Sequence, residues 1–408
     1  MQPTGAMVLQ KTMIRSSLGH RYAVERPPQF ATFLDSVNPK KTEDDSSIIL
    51  GPHLSYGKIQ SIIDVSHPYY NLCNERLVVD NGQTFSKAFV CTVKPDMPIG
   101  FEMGSISAAE AGRHCAIAGS VAAALNQPGS RPGKYYYLAL DNTMCTSLPP
   151  DNAFFADNIE DHSDGNDHII IYAVCSDLSK RSATSQILMK LPDSLGGGMW
   201  HLRTKYAVMS EKVFKKLSNF KTVAAPNEMI KDSKHFDNSN SPYSQFQPLE
   251  SFTTPPMKGQ ALGGETFQSL TLRSSIPTIS AESCLGHFDN NPAFPIAFMC
   301  GHWFCLAGET IGKLAGEEIK FMKTCPTISN DVTSSSGARV KFIEGDIEAF
   351  KLVYAGTHGL DFYCKAEEVN TADSVFSVEL KAVSTEEDNQ LIARGKFFFQ
   401  LVRSVYNN

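Results

Sequence analysis

The segment Ala297 to Ala315 is apolar on nearly every side, and six β-rich stretches follow it. A helix with no polar face must bury most of its surface. The stretches are Glu318 to Thr324, Ala338 to Ile343, Phe350 to Thr357, Leu360 to Glu367, Val375 to Val383 and Gln390 to Val402. Alternation such as Phe376, Val378, Leu380 and Ala382 predicts strand, with one face in a core. A curved antiparallel sheet wrapped around the helix satisfies both demands.

The first half of the chain repeats the pattern. A strand-like segment, Thr84 to Val93, leads through a Pro/Gly turn into a helix of small residues from Ser105 to Val121. Strand-like stretches follow at Lys134 to Thr146, His168 to Cys175, Ser185 to Leu191 and Met199 to Val208. Small side chains let neighbouring elements approach closely. The expected fold class is therefore α+β, a hotdog fold present twice. The expected organisation is an N-terminal arm over 1–45, a first hotdog domain over 46–224, a linker or long surface loop over 225–264 and a second hotdog domain over 265–408. The linker reading rests on polar, Pro/Gly-rich composition, including Asp237 to Pro242, Pro255-Pro256 and Gly263-Gly264.

A net charge of −6 argues against a general nucleic-acid binder. No run approaches the ~20 apolar residues of a membrane span, and the expectation is a cytoplasmic protein. The ten cysteines are mostly scattered singly, and Cys300 and Cys305 lack the spacing of a zinc knuckle. They read as buried thiols, with no metal and no cofactor expected.

Chemistry concentrates at Gly286-His287-Phe288-Asp289-Asn290-Asn291-Pro292-Ala293-Phe294-Pro295, where two prolines hold an extended course beside a histidine. Histidine exchanges protons near neutral pH. This stretch resembles the motif G-H-F-x-x-x-P-x-F-P of the β-hydroxyacyl-ACP dehydratases, matching at Gly286, His287, Phe288, Pro292, Phe294 and Pro295. The resemblance implies a hotdog fold and a catalytic His287. The family also carries an acid on the following helix, and the corresponding position here is Gly301. The first-half helix shows the complement, with Glu110 in Ala108-Ala109-Glu110-Ala111 and Asp96 where the histidine would stand.

The expectation is one composite site in which His287 meets Glu110, with Pro295, Ile296, Ala297, Arg113 and His114 binding substrate. Helix N-termini at Ile296 and Ala297 and at Ser105 to Glu110 offer free N–H groups to a developing oxyanion. Burial is expected to raise the Glu110 carboxyl and help it hold a proton; His114, one turn beyond, would favour a thioesterase alternative if it held that carboxylate ionised. The leading expectation is dehydration of a β-hydroxyacyl thioester carried by ACP or CoA. The alternatives are an acyl thioesterase or acyl transferase on the same fold, and a non-catalytic scaffold binding an acyl carrier protein. The family departures are Ile296, where a glycine is common, and His114, where a glutamine is common. Monomer and homodimer are both left open.

Overall fold

A computed structural model describes residues 49–79, 88–127, 135–147, 168–192, 194, 197–217, 241–253, 269–288, 292–323, 337–386 and 389–403. The expected N-terminal arm lies outside these residues, as do Asp289 to Asn291 of the histidine motif and most of the expected linker. The described strands are β1 (Ile49–His53), β2 (Leu72–Val79), β3 (Ala88–Val93), β4 (Tyr135–Ser147), β5 (Ile169–Leu178), β6 (Ser182–Lys190) and β7 (Met199–Ser210). Then come β8 (Ser251–Thr253), β9 (Ser269–Thr278), β10 (Arg339–Ala349), β11 (His358–Asn370), β12 (Val375–Ser384) and β13 (Gln390–Val402). The α-helices are α1 (Tyr56–Ile62), α2 (Ala108–Leu125), α3 (Glu211–Leu217) and α4 (Ile296–Ala315).

All thirteen strands join one antiparallel sheet in the order β1-β2-β3-β5-β6-β7-β4-β10-β13-β12-β11-β9-β8. The order reads as a near-palindrome about the β4–β10 pair, where Glu344 to Glu348 run against Cys145 to Asp141. In each half the strand just before the long helix, β3 or β9, stands toward the outside with β1 and β2 or β8 beyond it; the strand after the helix goes to the centre, and the next three fill in between. Helix α2 lies on β3, β5, β6 and β7, helix α4 lies on β9 to β12, and the two helices pack on each other.

Helix α2 sits close to its strands because its residues are small. The Tyr206 hydroxyl donates to the Ala116 carbonyl at 2.7 Å and Ser185 donates to the Gly119 carbonyl at 2.8 Å. Helix α4 instead buries large side chains: Trp303 is fully buried and its indole N–H donates to the Lys381 carbonyl at 3.2 Å. Truncating such a buried aromatic costs about 3–5 kcal/mol. Gly316, in the left-handed region at φ 67°, stops the helix.

Two expected strands are not strands. Ile319 and Met322, within Glu318 to Thr324, make only isolated bridges, to Ala338 and Gly100. The Phe350 to Thr357 stretch is a loop. Its Val353 carbonyl accepts from Phe294 N–H at 2.7 Å and its Ala355 N–H donates to Pro292 at 3.2 Å. Backbone groups that would serve a strand are spent on the histidine motif. Part of the expected linker is core: Ser241 and Tyr243 are fully buried and Phe246 nearly so.

Candidate active site

The turn carrying His287 belongs to the second half but is fastened to the first. Val65 forms an antiparallel bridge with His287. The Ser66 N–H donates to the Gly286 carbonyl at 2.8 Å, and the Phe288 N–H donates to the Asp64 carbonyl at 3.1 Å. Gly286 has φ 76°, and any side chain there would run into the Ser66 carbonyl and the Tyr69 N–H. The turn thus requires glycine twice over, for conformation and for space. Phe288 also sits at positive φ, 64°, and is held there by burial against Tyr136 and Phe214. Backbone held in a sparsely populated region beside a histidine is a mark of functional sites.

His287 Nδ1 lies 2.8 Å from the Ala293 carbonyl. A carbonyl only accepts, so Nδ1 carries the hydrogen and the neutral ring keeps its lone pair on Nε2. Burial pushes the imidazole down to about 4, against the opposing pull of the Ala293 bond and the charge of Asp64. The ring is neutral near pH 7 and able to take a proton. It packs on Phe288 at 4.2 Å and on Tyr69 at 4.6 Å between ring centres.

His287 borders a mostly apolar cleft of about 740 Å³, its open mouth included. The first half supplies Val65, Tyr69, Ala116, Ile117, Ser120 and Tyr206, and the second supplies Phe294, Ile296, Met299 and the 349–353 loop. Exposed Lys351 marks its outer end, while Tyr69, Met299 and Tyr206 are buried at its inner end. Ile296, also on the wall, is the first residue of α4. The N-cap before it is Pro295, which offers no side-chain hydrogen bond. The Phe298 N–H donates to the Pro295 carbonyl at 3.0 Å, so the N–H groups of Ile296 and Ala297 are the ones without an intrahelical acceptor or a side-chain cap from Pro295, and the helix dipole adds positive potential there.

Glu110, Arg113 and His114 form a separate buried cluster with Asp96. Glu110 Oε1 accepts from the Asp96 and Met97 N–H groups at 2.6 and 3.1 Å, and His114 Nε2 lies 3.3 Å from it. Arg113 Nη2 binds Asp96 Oδ1 at 2.7 Å. Burial raises the Asp96 carboxyl to about 6 and raises that of Glu110. The same burial, with the nearby Arg113 charge, drives His114 well below its usual value. His114 is therefore neutral and does not hold Glu110 ionised. Donor atoms of Asp96, Glu110 and His114 lie within 4.8 Å of one another, as metal ligands would. Arg113 and the two backbone N–H groups already occupy that space.

His287 and Ile296 thus line one cleft, while Pro295 and Ala297, on either side of Ile296, do not line it. Glu110, Arg113 and His114 are gathered elsewhere, and none of the three lines the cleft. Between the two groups stand Tyr69 and Tyr243. The Tyr243 ring lies 5.8 Å from Tyr69, and the Arg113 guanidinium sits over it at 4.3 Å. Sequence reasoning missed Asp64, Tyr69 and Tyr243. The first two lie on either side of Ser66-His67-Pro68, and the third sits in the polar stretch read as linker or long surface loop.

No family model matches the chain, and no curated protein matches it. Among solved structures, a putative thioesterase from Novosphingobium aromaticivorans is 12% identical, with 83% of this chain and 100% of that chain covered and a TM-score of 0.38. A hot dog fold protein of unknown function from Alicyclobacillus acidocaldarius is also 12% identical, with coverage of 84% and 100% and a TM-score of 0.37. An acyl-CoA thioesterase II from Mycobacterium marinum is 10% identical, with coverage of 71% and 88% and a TM-score of 0.36. Scores of this size mark a loose likeness. The architecture itself, apolar helices cradled by antiparallel strands, is hotdog-like α+β. No helix among the described residues is long and apolar enough to cross a membrane.

The dehydratase expectation does not hold. It required an imidazole and a carboxylate facing one cavity, so that adjacent carbons of one substrate could be served. Glu110 is fully buried, its Oε1 engaged by two backbone N–H groups, and it lies outside the cleft that His287 borders. The structures found alike are described as thioesterases or as of unknown function.

Proposed function

We propose that the chain is a double-hotdog acyl-thioester hydrolase acting on acyl-CoA or acyl-ACP at the His287 cleft. The observation that carries this reading is the neutral His287, locked through Nδ1, beside the uncapped N-terminus of α4 in an apolar cleft. The mirrored strand order supports two hotdog units, assigned to 46–224 and 265–408.

The chemistry follows from these groups. The thioester carbonyl oxygen points to the first N–H groups of α4, and the acyl chain lies along the apolar wall. His287 Nε2 takes a proton from water as the water oxygen bonds to the carbonyl carbon. The carbonyl electron pair moves onto oxygen, where the α4 N-terminus stabilises it, an effect of about 10²–10³-fold for one such donor. The oxyanion then collapses, the carbon–sulfur bond breaks, and the imidazolium returns its proton to the thiolate. Buried Asp64 steadies the imidazolium by its charge, in the same direction as it acts on the free ring. The products are a carboxylic acid and a thiol.

The test is release of free thiol from a series of acyl-CoA thioesters, followed with a thiol reagent. Wild-type protein is expected to release thiol, and His287→Gln to do so at least about 10²-fold more slowly. Thiol release unchanged in His287→Gln, or none from wild type on CoA or ACP thioesters, overturns the reading.

A further inference from the structure

We infer that Tyr243, carried on the segment joining the two halves, sets how long an acyl chain the cleft accepts by backing Tyr69. The inference rests on the cleft being an acyl site, as proposed above. The lining includes exposed Lys351 at the mouth and buried residues within, Tyr69, Met299 and Tyr206 among them. The inner end therefore stops a chain that enters from solvent. Tyr69 is the buried wall residue that stands 4.6 Å from His287, one ring from the reacting centre.

What holds Tyr69 in place is Tyr243. Its ring lies 5.8 Å from Tyr69 and 4.7 Å from Phe298 of α4, and the Arg113 guanidinium sits over it at 4.3 Å. Tyr243 comes from neither sheet nor long helix. It is presented by a tight turn in which the Tyr243 N–H reaches Ser241 Oγ at 3.2 Å and the Gln245 N–H reaches the Ser241 carbonyl at 3.2 Å. The side chain is fully buried, yet its hydroxyl has no hydrogen-bond partner. Such a group opposes folding. Its hydroxyl is not what holds Tyr243 in the core, and the remaining contribution is the volume of the ring. Emptying that volume lets Tyr69 swing back and lengthens the cleft toward Arg113.

The experiment compares wild type, Tyr243→Ala, Tyr243→Leu and Tyr243→Phe in two measurements. One is thiol release from saturated acyl-CoA thioesters of four to sixteen carbons, and the other is binding of the free acids of the same lengths. Wild type is expected to fall off beyond a short chain. Tyr243→Ala should raise the long-to-short preference about tenfold or more, the scale set by a few methylenes in an apolar pocket. Tyr243→Leu should shift it the same way by less, and it serves if the alanine variant fails to fold. Tyr243→Phe should keep the wild-type profile. An unmoved cut-off in folded Tyr243→Ala or Tyr243→Leu overturns the inference, as does an equal shift in Tyr243→Phe or failure of every acid to bind. If acids bind with a cut-off that these variants move but no thiol is released, hydrolysis falls and the wall stands.

Discussion

The N-termini of α2 and α4 occupy corresponding places in the mirrored sheet and differ in what meets them. At α2, Ser107 Oγ accepts from the Glu110 N–H at 3.2 Å and Glu102 Oε2 accepts from the Ala108 N–H at 2.9 Å. At α4, Pro295 leaves the first turn open. Each N-terminus borders a pocket whose other wall is the opposite helix. Beside α4 the pocket is the His287 cleft. Beside α2 it is a smaller space of about 250 Å³ between Glu102, Ser107 and the α4 residues Gly301, Phe304 and Cys305. Phe246 closes this second space, and a side chain at Gly301 would start 3.0 Å from its ring. The joining segment thus crowds the space that a side chain at 301 would need. The two ends differ: one is filled by the protein's own groups, and the other lies open beside a histidine.

The widest difference between the ends should appear in turnover. His287→Ala is expected to lower kcat/KM by about 10²–10⁴-fold with little change in melting temperature. On the closed side, Arg113→Met leaves Asp96 and Glu110 without their buried cation. It should cost about 3–5 kcal/mol of stability, read in denaturant midpoints, with activity per folded molecule preserved. Loss of activity without loss of stability would move the chemistry to the closed side.

The pH response sharpens the contrast. Activity needs neutral His287, so its acid limb should lie near 4 and not near the usual 6.5. For stability the sign is the same. The folded value is depressed, so the unfolded chain binds the proton first, and stability present above about 6.5 is lost as pH falls toward 4. His302, held at about 3 by burial, adds to this acid loss. Glu102 runs the other way. Burial raises it to about 8, so its stabilising neutral form is lost as pH rises through that value. Glu102→Gln keeps the acceptor for Ala108 and should raise Tm at pH 8 by about 2 °C or more. An unchanged Tm would mean that the carboxyl is not held neutral. The smallest effect expected is from Ser107→Ala, a lost helix cap of about 1 kcal/mol with unaltered turnover.

The parts of this arrangement legible in the sequence are those with local causes. Helix α4 shows because its apolar residues run on every side, and the His287 turn shows because Gly286 and the two prolines fix it. Glu110 on a small-residue helix was found, but its direction was not. Whether it faces a cleft or the Asp96 and Met97 N–H groups depends on a turn that composition does not describe. The wall of Tyr69 and Tyr243 was invisible for a different reason. Its members lie far apart in the chain, and polar neighbours around Tyr243 hide a ring that folding buries completely. Phe350 to Thr357 is β-rich in composition, yet its backbone bonds the motif at Pro292 and Phe294.

The most direct test sets His287→Ala against Glu110→Gln in one assay, kcat/KM for thiol release from a short acyl-CoA, scaled to folded protein. The open end being the site, His287→Ala should fall by about 10³-fold and Glu110→Gln should remain near wild type. Collapse of Glu110→Gln with His287→Ala still active would place the reaction at the buried carboxylate and contradict the account.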